Sequence, residues 1–177
     1  MINPWLSNNF IDSCAFDPKY DPEDKASTEI FHLHEKDGLN LIIAHSTQKE
    51  INHPQTPSWV KSEAGGLIYT LDASLTFQEK TLLHDIENIL AGNGKRENII
   101  QDARHILEAQ KYGTYFVTTD NRLLRKKHKI LELCDVVILL PSEFLTIARR
   151  NMSMTLRHTL SAFSVYSPQS EAATSAC

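Results

Sequence analysis

The sequence predicts an α/β fold, a three-layer α/β/α domain around a central parallel sheet of four to five strands. Three observations carry this expectation. Short apolar runs alternate with segments that repeat apolar residues at the helical period, as βαβ units require. The run Leu39 to Ala44 is almost continuously apolar, which suits a strand covered on both faces. Residues 1–150 contain all of these segments and are long enough for one full core, whereas the chain changes character from Asn151 onward.

Phe10-Ile11-Asp12 reads as a short first strand, followed by an irregular stretch around Pro18 and Pro22. Ala26 to Lys36 reads as a helix, with Ile30, Phe31 and Leu33 facing inward. The strand Leu39 to Ala44 leads into a short helix, Ser46 to Asn52, closed off by Pro54 and Pro57. After Gly65-Gly66, Leu67 to Leu71 is a third strand. Thr76 and Glu79 have capping-box spacing, and Leu82, Leu83, Ile86, Ile89 and Leu90 continue on one helical face. Ile99 to Tyr112 is a further helix, stopped at Gly113. Strands Tyr115 to Thr119 and Val136 to Leu140 flank a helix from Asn121 to Leu131, and Pro141 to Arg150 is the last helix of the domain. In residues 151–177 Ser, Thr and Ala accumulate, and Arg157 and Glu171 are the only full charges. That tail is expected to be flexible or partner-binding, and dispensable for folding.

Composition narrows the functional classes. Apolar residues make up 41% and charged residues 23%, the balance of a soluble globular protein. No apolar stretch approaches the roughly 18 residues of a membrane span, and the first residues lack the basic and apolar regions of a secretory leader. Cys14, Cys134 and Cys177 are odd in number and lack metal-ligand spacing, so reduced thiols and a cytoplasmic setting are expected. A net charge of −4 argues against wholesale coating of nucleic acid but leaves room for a local basic groove.

Asp12 and Asp120 fall at the carboxyl ends of expected strands, where open parallel sheets bind their ligands. Glu50 lies one turn beyond the second strand, and Asp102 borders the apolar stripe Ile99, Ala103 and Ile106 of its helix. Acids gathered at one end of a sheet repel one another, and a divalent cation relieves this. All-oxygen donors suit Mg²⁺ or Mn²⁺ rather than zinc. Each acid also admits a local structural role. Asp12 could form an Asx turn, Glu50 a capping box with Thr47, Asp120 an N-cap, and Asp102 a helix-dipole contact. Arg122, Arg125, Lys126, Lys127 and Lys129 follow Asp120 without an intervening acid. They could line the approach of an anionic substrate or form a solvated helix end.

The stretches "FIDSCAFD", "STQKEI", "DARHILEAQKYG" and "FVTTDNRLL", in this order, resemble the PIN-domain ribonuclease family, including the VapC-type toxins of bacterial toxin–antitoxin pairs. The resemblance covers approximately residues 8–148. It implies a PIN-like fold and a catalytic pocket of Asp12, Glu50, Asp102 and Asp120, with Asp12, Asp102 and Asp120 holding Mg²⁺ or Mn²⁺. Thr118, Arg122, Arg125 and Lys126 are then candidates for substrate binding. The implied activity is metal-dependent endoribonucleolytic hydrolysis of RNA phosphodiester bonds. The alternative is a catalytically inactive PIN-like module that binds RNA or protein. RNA, a cognate antitoxin protein and a second copy of the chain are the candidate partners, and no membrane is involved.

Overall fold

A computed structural model describes residues 2–71, 74–91 and 96–164. The strands are β1 (Asn9–Ile11), β2 (Leu41–Ile43), β3 (Ile68–Tyr69), β4 (Tyr115–Val117) and β5 (Val137–Leu139). They form one parallel sheet in the order β3-β2-β1-β4-β5. The register sets Phe10 beside Ile42 on one side and Phe116 on the other.

Alternation along the strands explains the two cores. Ile11, Leu41, Ile43, Tyr115, Val117 and Leu139 point to one face, where α1 (Glu23–Asp37), α3 (Ser58–Gly65) and α8 (Pro141–Ser164) cover them. Phe10, Ile42, Phe116 and Ile138 point to the other face. There α4 (Phe77–Leu90), α5 (Arg96–Tyr112), α6 (Asn121–Leu124) and α7 (Lys127–Cys134) contribute Ile86, Ile106, Leu123 and Ile130. A strand sandwiched in this way must be apolar at consecutive positions. The three-layer α/β/α arrangement and the parallel sheet are those the sequence predicts.

Two polar contacts lock the first layer. Glu23 is buried at the start of α1, and its carboxylate accepts from the Ser142 amide and hydroxyl at 2.9 and 2.7 Å. It therefore caps α8 with a negative charge where the helix dipole favours one. Trp5 donates its indole N–H to the Ala148 carbonyl at 2.8 Å, pinning the same helix. Gly113 is dictated by close approach, since a Cβ there would lie 2.6 Å from the Asn8 carbonyl oxygen and 2.9 Å from the Phe10 ring.

Several boundaries differ from expectation. The short helix after β2 is a 3₁₀ turn (His45–Thr47) running into α2 (Gln48–Ile51). The stretch Asn121 to Leu131 is two helices, because the chain turns through Arg125 and Lys126 before α7 begins. Helix α3 lies where no helix was expected; its buried residues are only Val60 and Ala64, too few to stand out as a periodic stripe. The last helix does not stop at Arg150 but continues to Ser164. Residues 165–177, the remainder of the expected tail, lie outside the described residues.

Candidate active site

The chain lays down β1, β2 and β3 outward in one direction, then returns to place β4 on the other side of β1. Neighbouring connections thus leave the β1/β4 pair in opposite directions, opening a crevice at the carboxyl ends of these two strands. Asp12 follows β1 directly, and Thr118 to Asp120 follow β4. Topology alone therefore brings two of the four expected acids together.

Hydrogen bonds fix them. The Asp12 amide donates to the Val117 carbonyl at 2.9 Å, continuing the β1–β4 pairing by one residue. Its carboxylate, 7% exposed, accepts from the Thr118 hydroxyl at 2.7 Å and from the Cys14 thiol at 3.1 Å. Burial, and then the neighbouring Asp12 charge, push the Cys14 thiol up to about 12, so it stays protonated and able to donate. The Asp120 amide donates to the Thr118 hydroxyl oxygen at 3.0 Å. Thr118 thus bridges the two aspartates. It is fully buried, at 0% exposure, and its hydroxyl is engaged by these two aspartates inside the protein.

Asp102 arrives from α5, which packs Ala103, Ile106 and Ala109 against the sheet. Its side chain is 16% exposed and meets Arg122, whose Nη2 lies 3.1 Å from Asp102 Oδ2 and 2.5 Å from Asp120 Oδ2. Arg122 Nε also donates to both Asp120 oxygens, at 3.2 and 3.1 Å. Burial raises the Asp102 carboxyl to about 6 against the pull of the Arg122 charge, and Asp120 and Asp12 add to the rise. For Asp120 burial acts upward too, but the hydrogen bonds from Arg122 outweigh it and the carboxyl titrates below the usual range. Asp120 also accepts from the Arg122 amide at 2.7 Å, so it caps α6 and belongs to the acid cluster at once.

Glu50 stands apart from the three aspartates but is tied to their neighbours in sequence. It accepts from the Ser13 hydroxyl and, at 2.8 Å, from Gln101 Nε2. Thr47 makes no capping bond to its helix; its hydroxyl meets His105 Nε2 at 3.2 Å, so the capping-box account of Glu50 fails. The Asx-turn account of Asp12 fails as well, because its side chain caps nothing locally. Ser13, Gln101 and the inward turn of Arg122 escaped the sequence reading, although Ser13 and Gln101 each adjoin an aspartate in the chain.

The cations after Asp120 divide. Arg122 folds back onto the acids, and Lys127 pairs with Glu143 at 3.1 Å. Arg125, Lys126 and Lys129 form no ion pair among the described residues. The expected open row of positive charge is thus shorter than the sequence suggests, and its first member faces inward. A separate cleft of about 620 Å³ runs along α5, lined by Gln101, Arg104, Glu108, Lys111 and Tyr112, with Lys80 of α4 and Ser46 opposite. Gln101 forms part of this lining and also bonds Glu50, so the cleft reaches toward Glu50.

The donor set fits a hard divalent cation in chemistry, since its donors are carboxylate oxygens, Asp102 feels the charges of Asp12 and Asp120, and the place between Asp102 and Asp120 already holds a cation, the Arg122 guanidinium. As they lie, no three His, Cys, Asp or Glu side chains among the described residues converge closely enough to hold a metal together. No helix among the described residues is long and apolar enough to cross a membrane. Set against known proteins, the chain matches no family model and no curated protein sequence.

Proposed function

We propose that the protein is a metal-dependent endoribonuclease of the PIN type. One observation carries the proposal: Asp12, Asp102 and Asp120, separated by long stretches of chain, interact at the carboxyl ends of β1 and β4 around a positive charge. Three of the four sequence stretches that resemble the PIN family carry these residues, and the fourth carries Glu50.

Asp12, Asp102 and Asp120 would hold the ion. Bound there, Mg²⁺ or Mn²⁺ would make water a stronger nucleophile and offset charge building on the phosphate. The chain's own residues do the positioning. Thr118 orients Asp12 through its hydroxyl and Asp120 through the backbone. Glu50, held by Ser13 and Gln101, would accept a proton from water or orient it. Cations beside the cleft, Arg104 and Lys80 among them, offset the repulsion that acids alone would present to RNA.

The test is cleavage of single-stranded and hairpin RNA with Mg²⁺ or Mn²⁺, comparing wild type with Asp12→Asn. Asparagine can still accept from Thr118, so the fold should survive while cleavage is almost abolished. Undiminished cleavage by the variant would remove Asp12 from the chemistry. A second reading has one observation in its favour: Arg122 already neutralises two of the acids, as in a non-catalytic RNA- or protein-binding module. Absence of divalent-dependent cleavage by the wild type, with RNA binding retained, would decide for it. Pairing with an antitoxin rests on the sequence resemblance alone.

A further inference from the structure

We infer that Arg122 is an internal counter-ion of the acid cluster, which a divalent cation must displace to bind. The inference rests on the proposed metal site and concerns how that site is regulated. Its basis is geometric. The guanidinium presents Nε and Nη2 to the two oxygens of Asp120, a forked contact that suits the planar group, and the same Nη2 reaches Asp102. One cation therefore joins carboxylates from α5 and from the start of α6, two of the three groups expected to hold the metal.

A carboxylate oxygen can accept from more than one partner, but Nη2 lies between Asp102 Oδ2 and Asp120 Oδ2, at 3.1 and 2.5 Å. A metal bridging these two acids would take that same place, so the two cations compete for it. The exchange is feasible because the Arg122 side chain is 50% exposed, and an ion pair so open to water is weakly held. It needs only a rotation of the side chain into solvent, without movement of α6, whose cap from Asp120 to the Arg122 amide involves backbone rather than guanidinium. The account also explains why the aspartates do not present a three-acid metal group in this arrangement: two are drawn onto the arginine. Apparent metal affinity is then reduced by the fraction of molecules in which Arg122 is out, the usual consequence of a binding-competent state that is only partly populated.

Mn²⁺ binding measured by titration calorimetry on the full chain, without RNA, tests this in wild type, Arg122→Gln and Arg122→Lys. The expected result is about two- to fivefold tighter binding for Arg122→Gln, the range for release of an exposed ion pair, with Arg122→Lys in between. Lysine keeps the charge but cannot fork across both acids, so an effect of net charge alone would leave Arg122→Lys at the wild-type value and overturn the counter-ion role. Equal Mn²⁺ affinity in all three proteins would overturn it too, leaving the metal site intact. If none of them binds Mn²⁺, the inference and the nuclease reading fail together. If Arg122→Gln binds more tightly, with Arg122→Lys in between, but no form cleaves RNA, the inference stands and only the nuclease reading fails.

Discussion

Asp102 is the residue whose ionisation the fold disturbs most informatively. Its carboxyl is raised from 3.8 to about 6, first by burial. In the metal-free protein the folded state therefore keeps a proton that the unfolded chain has already released. The sign follows: Asp102 weakens the fold progressively as pH rises from about 4 to about 6. Two pKa units correspond to roughly 3 kcal/mol, an upper figure because the site is partly open to water. Asp120, which titrates low, works in the opposite direction and favours the fold above its usual range. Urea melts in EDTA should show Asp102→Asn gaining on wild type as pH climbs through this window. A difference that stays constant with pH would show that the carboxylate is not strained by its setting. Bound metal should suppress the effect in the wild type, and protons should compete with metal below about pH 6.

At the scale of elements, the helices report on how well local rules survive. Thr76 caps α4 with both halves of the capping box, as the spacing alone predicts. Thr76→Ala should cost about 1 kcal/mol, read from a urea melt. Gly113→Ala should cost about 1–3 kcal/mol, since its methyl group would meet a backbone oxygen and a core ring that cannot easily shift. A Gly113→Ala protein as stable as wild type would mean that the α5–β4 turn can relax. Strands and amphipathic helices were legible because burial on a sheet or a stripe enforces a period. Helix α3 and the break at Arg125 were not, because neither leaves a periodic signal. Asp12 and Asp120 were legible as neighbours because each follows one strand of an adjacent pair, whereas Asp102, inside α5, was grouped with them by the resemblance. The inward turn of Arg122 was not, because two residues of sequence separation do not say whether a side chain points out or back onto its own helix cap. That Thr118 holds two neighbouring acids was not legible for a related reason, since a hydroxyl reads alike whether it faces substrate or a carboxylate.

For the whole molecule, the distribution of charge matters more than its sum. With a net charge of −4, the proposed function needs a local basic surface for RNA, and the cleft along α5 offers Arg104 and Lys80. Replacing both by Gln should weaken RNA binding and flatten its salt dependence, the slope falling by about 1 for each phosphate no longer neutralised. Unchanged affinity and slope would move the groove to Arg125, Lys126 and Lys129. The central claim is that three remote aspartates act as one cation site, and metal-induced stabilisation tests it most directly. The measurement is the thermal midpoint with and without saturating Mn²⁺, for wild type and for Asp12→Asn, Asp102→Asn and Asp120→Asn. At 100 times the dissociation constant, binding to the native state alone adds about 2.7 kcal/mol, roughly 5–10 °C for a chain of this size. The account predicts that rise in the wild type and its near-complete loss in each of the three variants. A wild type that does not respond to Mn²⁺, or variants that respond as fully as the wild type, would contradict it.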